Sequence, residues 1–284
     1  MRLRKRALFA KFFADRGTHL AAMVAYFALL SFVPLIFLAL SLLGLAHRAD
    51  ASDFLVRELK RAFPGSSLQS ILTLVHRVQD NAAALGIIGG IGLLWSSLSL
   101  FSSLESAFNI VYGRPNRPFL RGKTVAAVLM ASVLVTLFAS LVVGALGVEV
   151  VKRYAPGFVG DQAVAYVLSV AVSLLGVFLF LVAVYRLLPN APLTVHEVLP
   201  GSVMGAIVLE ASFQVLPIFV RLADVNVTLR VLGGPAILLL WLYVMANVIV
   251  LGAELNWWSA RRRESAHSPD VAVTGSDPGR VRVP

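Results

Sequence analysis

The chain has 284 residues, 58% of them hydrophobic and only 14% charged, with a mean hydropathy of +0.82. Soluble domains carry about a quarter charged residues, so a soluble globular protein is excluded and a polytopic membrane protein is expected. The formal net charge of +10 reads as the basic loops that orient a bilayer protein rather than as a nucleic-acid surface, and no nucleic-acid partner is expected.

With no cysteine, disulfides and thiolate metal sites are excluded. The five histidines, His19, His47, His76, His196 and His267, lack the i,i+4 spacing that places two imidazoles on one helix face. Neither metal nor cofactor is expected.

In chain order, residues 1–19 form a basic cytoplasmic N-terminus beginning MRLRKR. The first apolar run, 20–46, starts too late and runs too long for a removable signal segment, and Pro34 predicts a kink within it. Residues 47–82 make the longest connection, an external amphipathic helical pair. Phe54, Leu55, Leu59, Ala62 and Phe63 give one stripe, stopped at Pro64 and Gly65. Ser66 to Gln69 supplies a capping box for a second, with Leu68, Ile71, Leu72, Val75 and Val78 at helical spacing.

Five further apolar runs follow, at 83–111, 125–148, 163–188, 198–220 and 233–258. Each is long enough to cross a hydrocarbon core of about 30 Å, which takes about 20 helical residues. The expected fold is therefore all-α, a bundle of six transmembrane helices over residues 20–260. The tail 261–284 is expected to be disordered, with Arg261 to Arg263 anchoring the last helix to anionic headgroups.

Charge sets the orientation. With both termini inside, 16 of the 25 Lys and Arg residues fall on cytoplasmic segments and 9 outside, as the positive-inside rule requires. The inside segments include Arg114, Arg117, Arg121 and Lys123. The reading is a multi-pass membrane protein, N-in and C-in, with membrane lipids as its partners. A homo-oligomer is allowed.

No phosphate loop, catalytic triad or metal cluster appears, and no enzyme is expected. The stretch GIIGGIG at 86–92 lies inside an apolar span with no preceding strand, so its small residues read as helix packing.

The polar residues inside the spans are the candidate site, because a charge in the bilayer costs about 2.5–3.5 kcal/mol and usually faces the bundle interior. In the second span, Ser96, Ser97, Ser99, Ser102, Ser103 and Ser106 accompany Glu105 and Asn109. The serines read mainly as close packing, bonding back to their own helix.

In the fifth span, Gly201 and Gly205 give a close-approach spacing. Glu210 and Gln214 follow at i,i+4, with Glu210 about 18 Å into the membrane. Glu210 is the midplane carboxylate and the candidate titrating group. In the sixth, Asn247 and Glu254 share a face, with Glu254 about 10 Å inward from Arg261. Glu105, Asn109, Arg186, Asn247 and Glu254 are grouped as one polar intramembrane cluster, with Arg186 expected to pair with Glu254 or Glu105.

The motifs VAYFALLSFVPLI, LLWSSLSLFSSLESAFNIVY, YRLLPN, LPGSVMGA and LLLWLYVMANVIVLGAELN, in that order over about residues 15–258, resemble the YihY/BrkB family of bacterial inner-membrane proteins. The ending LGAELN is the most specific part. Members were once called ribonuclease BN, a name regarded as a misassignment.

The resemblance implies a six-helix membrane protein associated with virulence, serum resistance or lipid-related transport. Asn109, Tyr185, Arg186, Pro189, Gly201, Gly252, Glu254 and Asn256 fall on the family's motif positions. RVLGGPA at 230–236 departs from it, since members often carry a Tyr-Gly pair there.

The leading expectation is transport or handling of a lipid or other amphipathic substrate through a polar bundle interior. The alternative is a non-catalytic membrane scaffold or envelope-assembly partner. A nuclease is least supported, because its metals would need clustered acids or histidines and the cytosolic loops supply arginines instead.

Overall fold

The computed structural model describes residues 2–45, 82–133, 135, 162–225 and 234–267. Seven helices are seen among them: α1 (Arg2–Ala14), α2 (Gly17–Leu45), α3 (Ala82–Tyr112), α4 (119–133), α5 (Gln162–Leu187), α6 (Val195–Val225) and α7 (Gly234–His267). The external amphipathic pair, the second half of the 125–148 span and the tail beyond residue 267 lie outside the described residues.

Local chemistry fixes the helix ends that surround the site. At the end of α3, Gly113 takes a left-handed φ of 62°. Its N–H donates to the Ile110 carbonyl at 3.1 Å, and the Arg114 N–H donates to the Asn109 carbonyl at 2.7 Å. This is the paired closure of a Schellman cap, which glycine adopts without a Cβ penalty. At the start of α6, the Thr194 N–H and hydroxyl donate to Glu197 Oε2 at 2.6 and 2.8 Å, a capping box.

Between α1 and α2 the turn is made by Arg16, whose φ of 56° is a left-handed value that costs a residue with a side chain roughly 1–2 kcal/mol. Gly17 follows directly beneath the Phe12 ring, where any side chain would overlap it.

Helix α2 packs against α3 and α7, α7 against α6, and α6 against α5, while α1 lies across α2 and α7. The core runs through Ala21 and Val24 of α2, Ala107 and Phe108 of α3, Leu181 and Tyr185 of α5 and Val250 and Ala253 of α7. Outer faces are apolar instead of charged. Trp95, Ile91, Leu175, Leu179 and Ile207 are all exposed, a surface that acyl chains would cover. Among the described residues, three helices, within Val170–Leu187, Val195–Leu216 and Pro235–Arg263, are long and apolar enough to cross a membrane, and α2 is apolar over Gly17–Phe32.

Pro34 lies inside the continuous helix α2, with its ring beside Gly92 of α3. One expectation is corrected: the last helix continues to His267, so residues 261–267, expected to open a disordered tail, are helical. Arg262 lies 3.6 Å above the Trp258 ring and Arg261 4.6 Å from that of Trp257, contacts that favour one more helical turn.

Candidate functional site

The segments rich in Lys and Arg meet at one end of the bundle. Helices α3, α5 and α7 arrive there, and α2, α4 and α6 leave it. Side chains that the sequence scatters converge at this basic end in three linked layers.

The innermost layer joins α1 to α7. Glu254 is fully buried, and its Oε2 lies 2.9 Å from Lys11 Nζ. The alignment is that of an ion pair and falls outside hydrogen-bond geometry; Glu254 Oε1, Tyr112 OH and Asn256 Nδ2 have no hydrogen-bond partner among the described residues. Lys11 also pairs with Asp15 one turn along α1. It donates to the Val111 carbonyl at 3.0 Å and stands 4.3 Å from the Trp257 ring centre. Two carboxylates, a carbonyl and an aromatic face thus enclose a single ammonium.

The second layer ties α3 to the end of α5. Glu105, buried, accepts from Arg117 Nη1 at 3.2 Å and from the Arg117 backbone N–H at 3.3 Å. The same guanidinium donates to the carbonyls of Leu187 at 3.1 Å, Leu188, and Pro189 at 2.8 Å. These are carbonyls that the end of α5 leaves without helical partners, so a planar five-donor group suits the place. Gly122 of α4 comes so near Glu105 that an added Cβ would lie 3.0 Å from its Oε2.

The outer layer is made of amides. Asn109 Oδ1 accepts from the Asn190 N–H at 2.7 Å and Asn109 Nδ2 donates to Asn116 Oδ1 at 2.9 Å. Asn116 donates on to Ser106 at 2.9 Å, and Asn190 Nδ2 to the Pro115 carbonyl at 3.1 Å.

Helix approach beneath these layers depends on glycine. At Gly201 a Cβ would collide with the Gly252 carbonyl and Asn256, and the Gly201 N–H donates to Asn256 Oδ1 at 2.6 Å. Gly205, one turn on, faces Leu181 of α5 instead. Gly252 also makes room for Tyr185, whose hydroxyl donates to the Ile249 carbonyl at 2.8 Å. Pro189 is buried at the start of the turn that follows.

The expected cluster is therefore partly assembled. Glu105, Asn109 and Glu254 come together with the family-motif residues Tyr185, Pro189, Gly201, Gly252 and Asn256. Arg186 does not join them: it is exposed, and the two acids take Arg117 and Lys11. Asn247 is half-buried and donates to its own helix, at the Tyr243 carbonyl, 2.7 Å away. Glu210 stands apart and buried, accepting from Ser173 at 2.7 Å and from Gln214 at 3.0 Å.

Three serines of α3 bond back along their helix: Ser96 to Gly92, Ser99 to Trp95 and Ser102 to Leu98. Among the described residues, no three His, Asp or Glu side chains gather as a metal site would require.

Sequence reasoning missed Lys11, Asp15, Tyr112, Asn116, Arg117 and Asn190. The one local sign was the i,i+4 spacing of Lys11 and Asp15, hidden in a basic N-terminus.

The chain is 26% identical over 264 residues to a ribonuclease-like protein, YfkH, of Bacillus subtilis, covering 90% of this chain and 95% of that one. It is 28% identical over 257 residues to a UPF0761 membrane protein of Azoarcus and 29% identical over 262 residues to one of Aromatoleum aromaticum. These matches cover 87% and 88% of this chain but 61% and 62% of those relatives' own length. No solved structure matches the chain significantly. The family described as Virulence factor BrkB matches residues 8–274, a stretch that takes in Lys11, Glu105, Arg117 and Glu254, and the chain belongs to this BrkB family of membrane proteins.

Proposed function

We propose that this BrkB-family protein handles a lipid or another amphipathic substrate in the bacterial inner membrane, with both termini cytoplasmic, and that the substrate's polar part engages the cluster at the basic end. The observation that carries the reading is Glu254, fully buried, with Lys11 at 2.9 Å and neither oxygen in a hydrogen bond among the described residues. A bundle selected only for stability would do as well with apolar residues here, since buried ion pairs rarely exceed well-packed hydrophobic replacements. Ionisable groups kept inside a membrane bundle mark substrate paths more often than struts.

The test is reconstitution into liposomes with a fluorescent phospholipid and measurement of its movement between leaflets. Movement faster than in protein-free vesicles, and slowed by Glu254→Gln, is the expected result. A rate equal to protein-free vesicles, from protein shown to be folded, would overturn the reading.

A scaffold or envelope-assembly role is favoured by a different observation. Glu210, the deepest acid of its span, has both oxygens bonded by Ser173 and Gln214, as a structural carboxylate would. Full retention of cellular function in a Glu254→Gln variant would support this second reading over the first.

A further inference from the structure

We propose that the cage now filled by the Lys11 side chain is a binding site for a primary alkylammonium group, with Lys11 as its tethered occupant while α1 is docked. The proposal rests on the substrate reading above in one respect: it names the polar chemistry such a substrate would present.

Three of the four walls of the cage stand without α1. Around Lys11 Nζ stand Glu254 Oε2 at 2.9 Å, the Val111 carbonyl at 3.0 Å, the Trp257 ring at 4.3 Å and the Asp15 carboxylate. Glu254 and Trp257 belong to α7 and Val111 to α3, so only Asp15 travels with Lys11. If α1 lifts, a fully buried carboxylate, a carbonyl and an aromatic face are left around a space the size of an ammonium. Glu254 Oε1, already without a donor, gains a second reason to accept one, because leaving a buried charged acceptor unpaired is costly.

The contacts also set selectivity. A primary ammonium has three N–H donors, which match two acceptors of the fixed cage and leave one for Asp15 or a substrate oxygen. A quaternary ammonium could satisfy the Trp257 face but has no N–H for Glu254 or Val111. A sodium ion gains nothing from the ring.

The tether has a defined pivot. Arg16, between α1 and α2, holds a φ of 56°, a conformation sparsely populated by residues with side chains and kept only while surrounding contacts enforce it. Undocking of α1 relieves that turn, which offsets part of the loss at Lys11. The same chemistry could come from an ethanolamine headgroup or from a soluble amine, and the experiment separates them.

The experiment is thermal unfolding of the full-length Lys11→Ala protein in detergent, titrated with ethylammonium chloride against equal sodium chloride and tetramethylammonium chloride. The variant should melt about 5–10 °C below wild type, and ethylammonium should restore a saturable part of that shift, as ligand binding to the folded state does. Tetramethylammonium and sodium should not, wild type should not respond, and adding Glu254→Gln should abolish the rescue.

In nanodiscs, a higher melting point for Lys11→Ala in phosphatidylethanolamine than in phosphatidylcholine assigns the site to a lipid headgroup. Rescue by ethylammonium without that difference keeps the site and assigns it to a soluble amine. If Lys11→Ala does not fold in sodium chloride, the yield of folded variant purified in ethylammonium chloride against tetramethylammonium chloride gives the same comparison. No rescue of a folded variant, or equal rescue by all three cations, overturns the proposal. The readout requires no transport, so a failed liposome assay leaves the cage standing, and a failed rescue leaves lipid handling to be judged by its own test.

Discussion

Lys11 and Glu254 lie near opposite ends of the chain and 2.9 Å apart in space, the acid with no exposed surface and the ammonium with 19%. Their contact fastens the first helix to the last. It also explains how a stretch as apolar as LLLWLYVMANVIVLGAELN tolerates a carboxylate: the charge is matched by a lysine that reaches it from α1, and the site lies about two turns inward from the basic Arg261 to Arg263. Removing the ammonium alone leaves an uncompensated buried charge, so Lys11→Met should cost about 3–5 kcal/mol, measured as loss of unfolding free energy in detergent.

Gly201 meets Gly252 backbone to backbone, and a side chain there would strike the Gly252 carbonyl and Asn256. Gly201→Ala should therefore destabilise by about 1–3 kcal/mol, the usual cost of overpacking. Gly92→Ala is the control: its Cβ would rest 3.5 Å from the Pro34 ring, an ordinary contact. Helix propensity then gives a change between zero and about 1 kcal/mol stabilising. Parallel thermal melts of the two variants check the difference in sign.

Arg117 is a fork that serves Glu105 and three carbonyls at the end of α5. Lysine keeps the charge but cannot span those acceptors. Arg117→Lys should cost about 2–3 kcal/mol, and amide hydrogen exchange should quicken across residues 184–190 more than elsewhere in α5. Uniform protection across the helix would show that the guanidinium does not hold this end.

Glu210→Gln should fold with a loss below about 1 kcal/mol, because the amide oxygen can accept from Gln214 and the amide nitrogen can donate to Ser173. Glu210→Leu should cost about 1–3 kcal/mol by removing the acceptor that Ser173 and Gln214 share. Lipid movement in liposomes should survive the Gln change. Abolished movement with the fold intact would return Glu210 to the role of functional carboxylate.

Much of this architecture is legible in the sequence because a bilayer protein writes its spans as apolar runs, and the helices α2, α3, α5, α6 and α7 fall on the expected segments. The Gly201 and Gly205 spacing was readable too, since only small residues allow helices to approach so closely. Its division of labour was not: one glycine serves α7 and the other α5, a fact of three-dimensional register.

The acids Glu105 and Glu254 were legible as cluster members, and their partners were not. Lys11 sits in a run of six Lys and Arg before residue 20 whose charge has a sufficient explanation in topology, so nothing marks one of them as reaching a buried acid. Arg117 lies in a loop, and its acceptors are carbonyls on another helix, which carry no signature in residue identity. Arg186 was chosen as the partner because it shares the depth of Glu254; the face it occupies on α5 instead turns it outward.

The central claim is that Lys11 and Glu254 act as one unit, and a double-mutant cycle on unfolding free energy in detergent tests it most directly. Lys11→Met and Glu254→Leu should each destabilise the protein, and the combined variant should recover most of the summed loss, because an apolar pair replaces the ions without stranding either charge. Losses that simply add, with no coupling beyond about 0.5 kcal/mol, would contradict it.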